Sequence, residues 1–219
     1  MADRQMRGRI RQVGMITAML LAGAQIAYAG ILAAGLATLP SPEAAITDPW
    51  FTLMEGLILV IAPLMVVLMA ALHLLTRGSR RLFSLLALVF TALLAGLTSA
   101  VHFTILVLSR DPAMGGAARW LAFEWPSLVY VLDILAWDIF FALSVLFAAG
   151  LFSGGGLAAW IRGLLITSGL LALAGLAGVA LADMQIRNIG ILGYAVVFPA
   201  ATVLIAIYLH RKPLSGPRH

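Results

Sequence analysis

Four ionisable residues stand inside runs otherwise built largely of Leu, Ile, Val, Ala and Phe: Glu55, His102, Asp133 and Asp138. A carboxylate or imidazole in apolar surroundings is costly unless it is paired, hydrogen-bonded or wet, so each is a functional-site hypothesis. An imidazole beside carboxylates can move protons on a bound molecule. The same donor types can hold a metal, and Glu55, His102 and Asp133 are the weak candidates, at a spacing that matches no diagnostic ligand pattern. Gln25 and Tyr28 are neutral polar companions, and His73, close to Arg77, reads as interfacial. Asp133 and Asp138 are five residues apart, about 140° around an α-helix, so their spacing predicts that they do not share one ligand. Asp183 and Arg187, four apart, read as a local pair in a tight turn.

The elements that carry these residues follow from composition. Of 219 residues, 63% are hydrophobic and only 11% charged, with a mean hydropathy of +1.06. Soluble domains average about 45–50% apolar and about 25% charged, so the solvent for this chain is lipid. Apolar runs long enough to cross a bilayer, roughly 20 residues each, predict six helices. They are Val13–Leu39, Trp50–Thr76, Leu82–Leu108, Ser127–Phe152, Gly163–Ala182 and Ile189–His210. The expected fold is all-α: one transmembrane domain over residues 1–219, a six-helix bundle. Pro40-Ser41-Pro42 stops the first run, Pro126 suits the first turn of the fourth, and Ser153-Gly154-Gly155-Gly156 follows it. Ala27-Tyr28-Ala29 after an Arg-rich start resembles a signal-peptide cleavage site, but the first run reads as a retained helix. Ala174, Gly178 and Ala182, and Gly23, Ala27 and Gly30, read as small-residue faces for close helix contact.

Lys and Arg give an orientation. Arg4, Arg7, Arg9, Arg11, Arg77, Arg80, Arg81, Arg162, Arg211, Lys212 and Arg218 fall on one side of six crossings, leaving Arg110, Arg119 and Arg187 on the other. The positive-inside rule then puts both termini in the cytoplasm. The basic balance therefore reports topology, and no nucleic-acid partner is expected. Trp50, Trp120, Phe123 and Trp125 suit an aromatic belt on the outer side. At about 1.5 Å per residue, Glu55, His102 and Asp133 lie roughly 7–10 Å below the outer helix ends, with Tyr194 in the same layer. Asp138 and Tyr28 come out at about 16–18 Å, and Gln25 a turn deeper. Turned inward, these groups would line a pocket open to the outside.

No Walker loop, nucleophile elbow, zincin or dinucleotide fingerprint is present. Without cysteine there is no thiolate metal site. The single lysine, Lys212, ends the last helix, so no covalent retinal is expected. His73 and His102 lie near opposite faces, so no bis-histidine haem is expected either. The stretches Tyr130–Asp138 and Arg187–Pro199 resemble segments of small bacterial six-helix membrane proteins grouped as a domain of unknown function. That resemblance implies the bundle and a bacterial inner membrane, and adds emphasis to Asp133, Trp137, Asp138, Asn188 and Tyr194. Three functions remain open. The first is binding of a small or lipid-like molecule in the outward-facing pocket, with room for acid–base chemistry on it. The second is a structural or accessory subunit that meets a partner membrane subunit or a second copy of the chain. The third is a proton-coupled transporter using Asp138.

Overall fold

The computed structural model describes residues 2–41, 44, 46–109 and 111–211; Pro42, Arg110, Lys212 and Arg218, named above, lie outside them. Six long helices run antiparallel: α1 (Ala2–Ala37), α2 (Trp50–Leu75), α3 (Arg81–Leu108), α4 (Leu128–Ala149), α5 (Leu157–Ala180) and α6 (Met184–Arg211). Among the described residues there is no strand. The membrane-crossing windows have mean hydropathies from 1.7 to 2.7. In hydrocarbon each backbone N–H and C=O must find a partner within the chain, and a helix pairs them locally. Large apolar side chains such as Val60, Leu93, Phe103, Leu170 and Val196 point outward over the whole bundle. Water would not tolerate so continuous an apolar surface, whereas lipid does. The protein is a multi-pass membrane protein in contact with a bilayer.

Three helix starts differ from the sequence expectation. α1 begins well before Val13, because its first turns carry Arg4, Arg7, Arg9 and Arg11 and can stand in water beyond the hydrocarbon. Arg7 there donates to the Leu75 carbonyl (2.9 Å), at the C-terminal end of α2. α5 starts at Leu157 after Gly154 and Gly156, whose positive φ angles turn the chain, and Arg162 reaches back to the Phe152 carbonyl (3.1 Å). α6 starts at Met184, capped by Asp183, which accepts from the Gln185 N–H (2.9 Å). The polar stretch expected to divide the last two helices is thus the first turns of α6. Ser127 opens α4 by accepting from the Tyr130 N–H, and Pro126 precedes that cap.

The helices pack in chain order and α6 returns to α1, closing a ring. Its interior holds Met65, Leu68, Leu94, Phe141, Ile161, Phe198 and Ile205, all fully buried. Two helices are interrupted. In α4, Leu135–Phe141 is a π-helical stretch, and in α6 Leu192–Val197 is another, directly before Pro199. Proline has no N–H for the preceding turn, which accounts for the second. α5 and α6 approach closely where Gly175 faces Gly190 and Gly193 faces the Ser168 carbonyl. The small residues used are therefore Ala172, Gly175 and Gly178, because they face α6 or the core, while Ala174 and Ala182 are exposed. Gly23, Ala27 and Gly30 are exposed as well, with nothing packed against Gly23 or Gly30.

Candidate functional site

At the end of the bundle away from Ala2 and Arg211, four helices converge on one buried polar cluster. His102 on α3 sits between two carboxylates, with Nδ1 bonded to Glu55 of α2 and Nε2 3.2 Å from Asp133 of α4. Both contacts are hydrogen bonds only when two protons are shared among the three groups, since a neutral imidazole carries one N–H. Asp133 uses its second oxygen to accept from Arg187 of α6 (3.0 Å). Arg187 also donates through Nε to Asp138 (3.1 Å) and through a terminal nitrogen to the Tyr130 hydroxyl (3.2 Å). Its guanidinium carbon stands 4.8 Å from the centre of the Tyr130 ring. Glu55, His102, Asp133, Asp138 and Arg187 are each at most 4% exposed.

This arrangement revises three sequence expectations. Arg187 makes no pair with Asp183, which is occupied as a helix cap. The early start of α6 carries Arg187 inside the bundle, where carboxylates wait. Asp133 and Asp138 do share one partner, the same guanidinium. The π-helical stretch between them brings residue i+5 back toward residue i, and the planar fork of Arg187 spans what remains. The earlier start of α6 also sinks Tyr194 below the layer of Glu55 and Asp133, and its ring packs 5.1 Å from Trp137 and 5.9 Å from Phe141. Among the described residues no group of three His, Asp or Glu side chains could hold a metal ion. The carboxylates of Glu55 and Asp133 flank opposite edges of the imidazole, so Glu55, His102 and Asp133 do not converge on one point.

A cavity of about 370 Å³ opens beside the cluster. Of the residues singled out from the sequence, Glu55, His102, Asp133, Tyr28, Gln25, Trp137 and Tyr194 line it, and Asp138 lies behind Arg187 and does not. Gln25 also accepts from Thr202 (2.9 Å), and Trp137 donates to Thr98 (3.0 Å). Asn188 lines the cavity and donates to Gln185 (3.0 Å). Phe123, expected in the aromatic belt, instead lines the cavity, 5.9 Å from the His102 ring and 5.0 Å from Tyr130. Trp120 and Trp125 are partly exposed nearby. His73 lies at the opposite end, with Nδ1 2.9 Å from the Ser84 hydroxyl.

Much of the remaining cavity wall is aliphatic: Leu32, Leu36 and Leu39 of α1 and its following loop, Ile58 and Ile61 of α2, and Ile191 of α6. α1 packs firmly on Phe198–Arg211, less on Leu192–Val197, and scarcely on Met184–Ile191. The two helices therefore part toward the cavity end, and the cavity occupies that wedge.

Arg187 is the site residue that sequence reasoning missed. The available signal was a charge deficit: three carboxyls at membrane depth need a permanent cation. Arg187, two residues before the predicted start of the sixth helix, was one of three such cations at that end. No family model, no curated protein and no solved structure matches this chain. The likeness to small bacterial six-helix proteins therefore lends nothing further, and the reading of the site rests on its geometry.

Proposed function

We propose that this protein binds a small amphipathic, lipid-like molecule in the cavity between α1, α2 and α6. The observation that carries this reading is the two-faced lining: Leu32, Leu36, Ile58 and Ile61 on one side, the buried Glu55–His102–Asp133–Arg187 cluster on the other. Ligand sites are typically concave, mostly apolar and about 300–1,000 Å³, with a few convergent polar groups. His102, bonded at both nitrogens, also links the two carboxylates as a proton relay, which allows acid–base chemistry on a bound molecule. By the positive-inside rule, the Arg-rich end is cytoplasmic and the cavity end faces outward. A transport route is less well supported. Below the cavity the interior closes with Leu68, Leu72, Ile161, Ile205 and Leu209, and Thr91 and Ser144 there bond to one another.

Native mass spectrometry of the protein released gently from membranes tests the reading. A discrete extra mass on the wild type, lost in Ala195→Phe, is the expected result. Ala195 lines the cavity and makes no polar side-chain contact, so the larger ring fills space without touching the ion pairs. A bare wild-type chain under conditions that retain ordinary lipids overturns it.

A second reading, a subunit of a membrane complex, is favoured by the face formed by Gly23, Ala27 and Gly30. Such small residues commonly mark close helix contacts, yet here they are exposed. Cross-linking in native membranes through single cysteines at these positions would yield a discrete higher-mass species on that reading. Only monomer would count against it.

A further inference from the structure

The cluster beside the cavity carries more acid than base. Among the described residues, three carboxyl groups, Glu55, Asp133 and Asp138, face one guanidinium and one imidazole. Even with His102 protonated the set keeps one uncompensated negative charge, and in a low-dielectric interior such a charge is costly. Arg187 lines the cavity too, with Nε held by Asp138 and one N–H of each terminal nitrogen by Asp133 and Tyr130. An anionic head group reaching the two remaining N–H groups would sit beside the Asp133 carboxylate.

Glu55 differs. It is only 2% exposed, lines the cavity and, among the described residues, bonds through its side chain to His102, whereas the buried oxygen left without a partner, Asp138 Oδ1, does not line the cavity. The cavity that Glu55 lines is rich in aromatic rings, Tyr28, Phe51, Phe123 and Tyr130 among them. Ring faces attract cations, most strongly where water is excluded.

We infer that the molecule held here is a lipophilic amine, its ammonium head against Glu55 and the surrounding rings, its hydrocarbon part along Leu32, Leu36, Ile58 and Ile61. This rests on the amphiphile-binding reading above and names the head-group class. Binding brings the missing positive charge and leaves the Arg187 and His102 pairs intact.

The full chain in nanodiscs of zwitterionic lipid can be titrated with three probes of equal chain length: dodecyltrimethylammonium, dodecanol and dodecanoate. The ammonium probe should bind at least about tenfold more tightly than the other two. Glu55→Gln should remove that advantage. The preference is read on the wild type, so the test stands even where the variant folds poorly. Dodecanol binding as tightly as the ammonium probe would mean that protons cover the deficit, and would overturn the head-group assignment while keeping the cavity as a site. Tighter binding of dodecanoate would do the same. If no probe binds the wild type more tightly than Ala195→Phe, the amphiphile reading fails with it.

Discussion

The two ends of this bundle are built on opposite principles. At the end near Ala2 and Arg211 the interior is dry. Leu68, Ile161, Ile205 and Leu209 interdigitate without charge, and Thr91 and Ser144 satisfy each other and the Ala87 carbonyl. At the other end four helices contribute ionisable or hydroxyl groups to one network, α4 and α6 are interrupted by π turns, and α1 leans away to leave a cavity. The dry end is held by packing, which is strong in sum and tolerant of apolar exchange. The polar end is held by pairing, in which losing one partner strands another. A protein needing only to cross the bilayer has no use for the second arrangement, and that contrast points to the cavity end as the functional one.

Substitutions can break or sharpen the contrast. The largest effect is expected for Arg187→Met, which leaves Asp133 and Asp138 buried without their cation and should cost about 3–5 kcal/mol. Thermal unfolding in detergent should show a sharply lowered midpoint. Adding Asp133→Asn and Asp138→Asn should recover most of the loss, because breaking a buried pair costs more than replacing it. A midpoint unchanged in Arg187→Met would deny that pairing holds this end. Next is Leu68→Ala, in the dry half, with an expected loss of about 2–5 kcal/mol from the cavity it leaves and no change in the mass retained by the folded fraction. A changed ligand mass would mean the two ends are coupled.

Gly190→Ala should cost about 1–3 kcal/mol, because a Cβ there would meet the Asp138 Oδ1 at 2.9 Å and press on the ion pair. Unfolding midpoints compared with those of Gly96→Ala, a helical position with nothing near it, isolate the contact. The smallest effect is expected for Trp160→Leu. Trp160 is 70% exposed on the outside of α5, and the change should stay within about 0.5 kcal/mol. A larger shift would show that this ring has a partner in the membrane.

Much of this was legible in the chain. The six crossings follow from run length, and the polar residues at depth were visible as exceptions to an apolar pattern. What misled was the reading of Asp183–Asn188 as a loop. Its polar composition concealed the first turns of a helix, and with them the true depth of Tyr194 and the burial of Arg187. The five-residue spacing of Asp133 and Asp138 misled for a related reason, since an angle computed for a regular helix does not hold across a π turn.

The sequence by itself determined that the chain is a bundle of membrane helices and which side chains lipid could not accommodate. Both are local properties: a run of apolar residues must pair its backbone within itself, and a charge in that run is out of place wherever it points. Only the tertiary structure decided that His102 would stand between Glu55 and Asp133, that one arginine would join two aspartates, and that α1 would part from α6 to open a cavity. Those outcomes depend on how each helix is rotated, where its turns widen and how far a side chain reaches across to a neighbour. Packing between distant segments sets all three, and no single stretch of sequence records them.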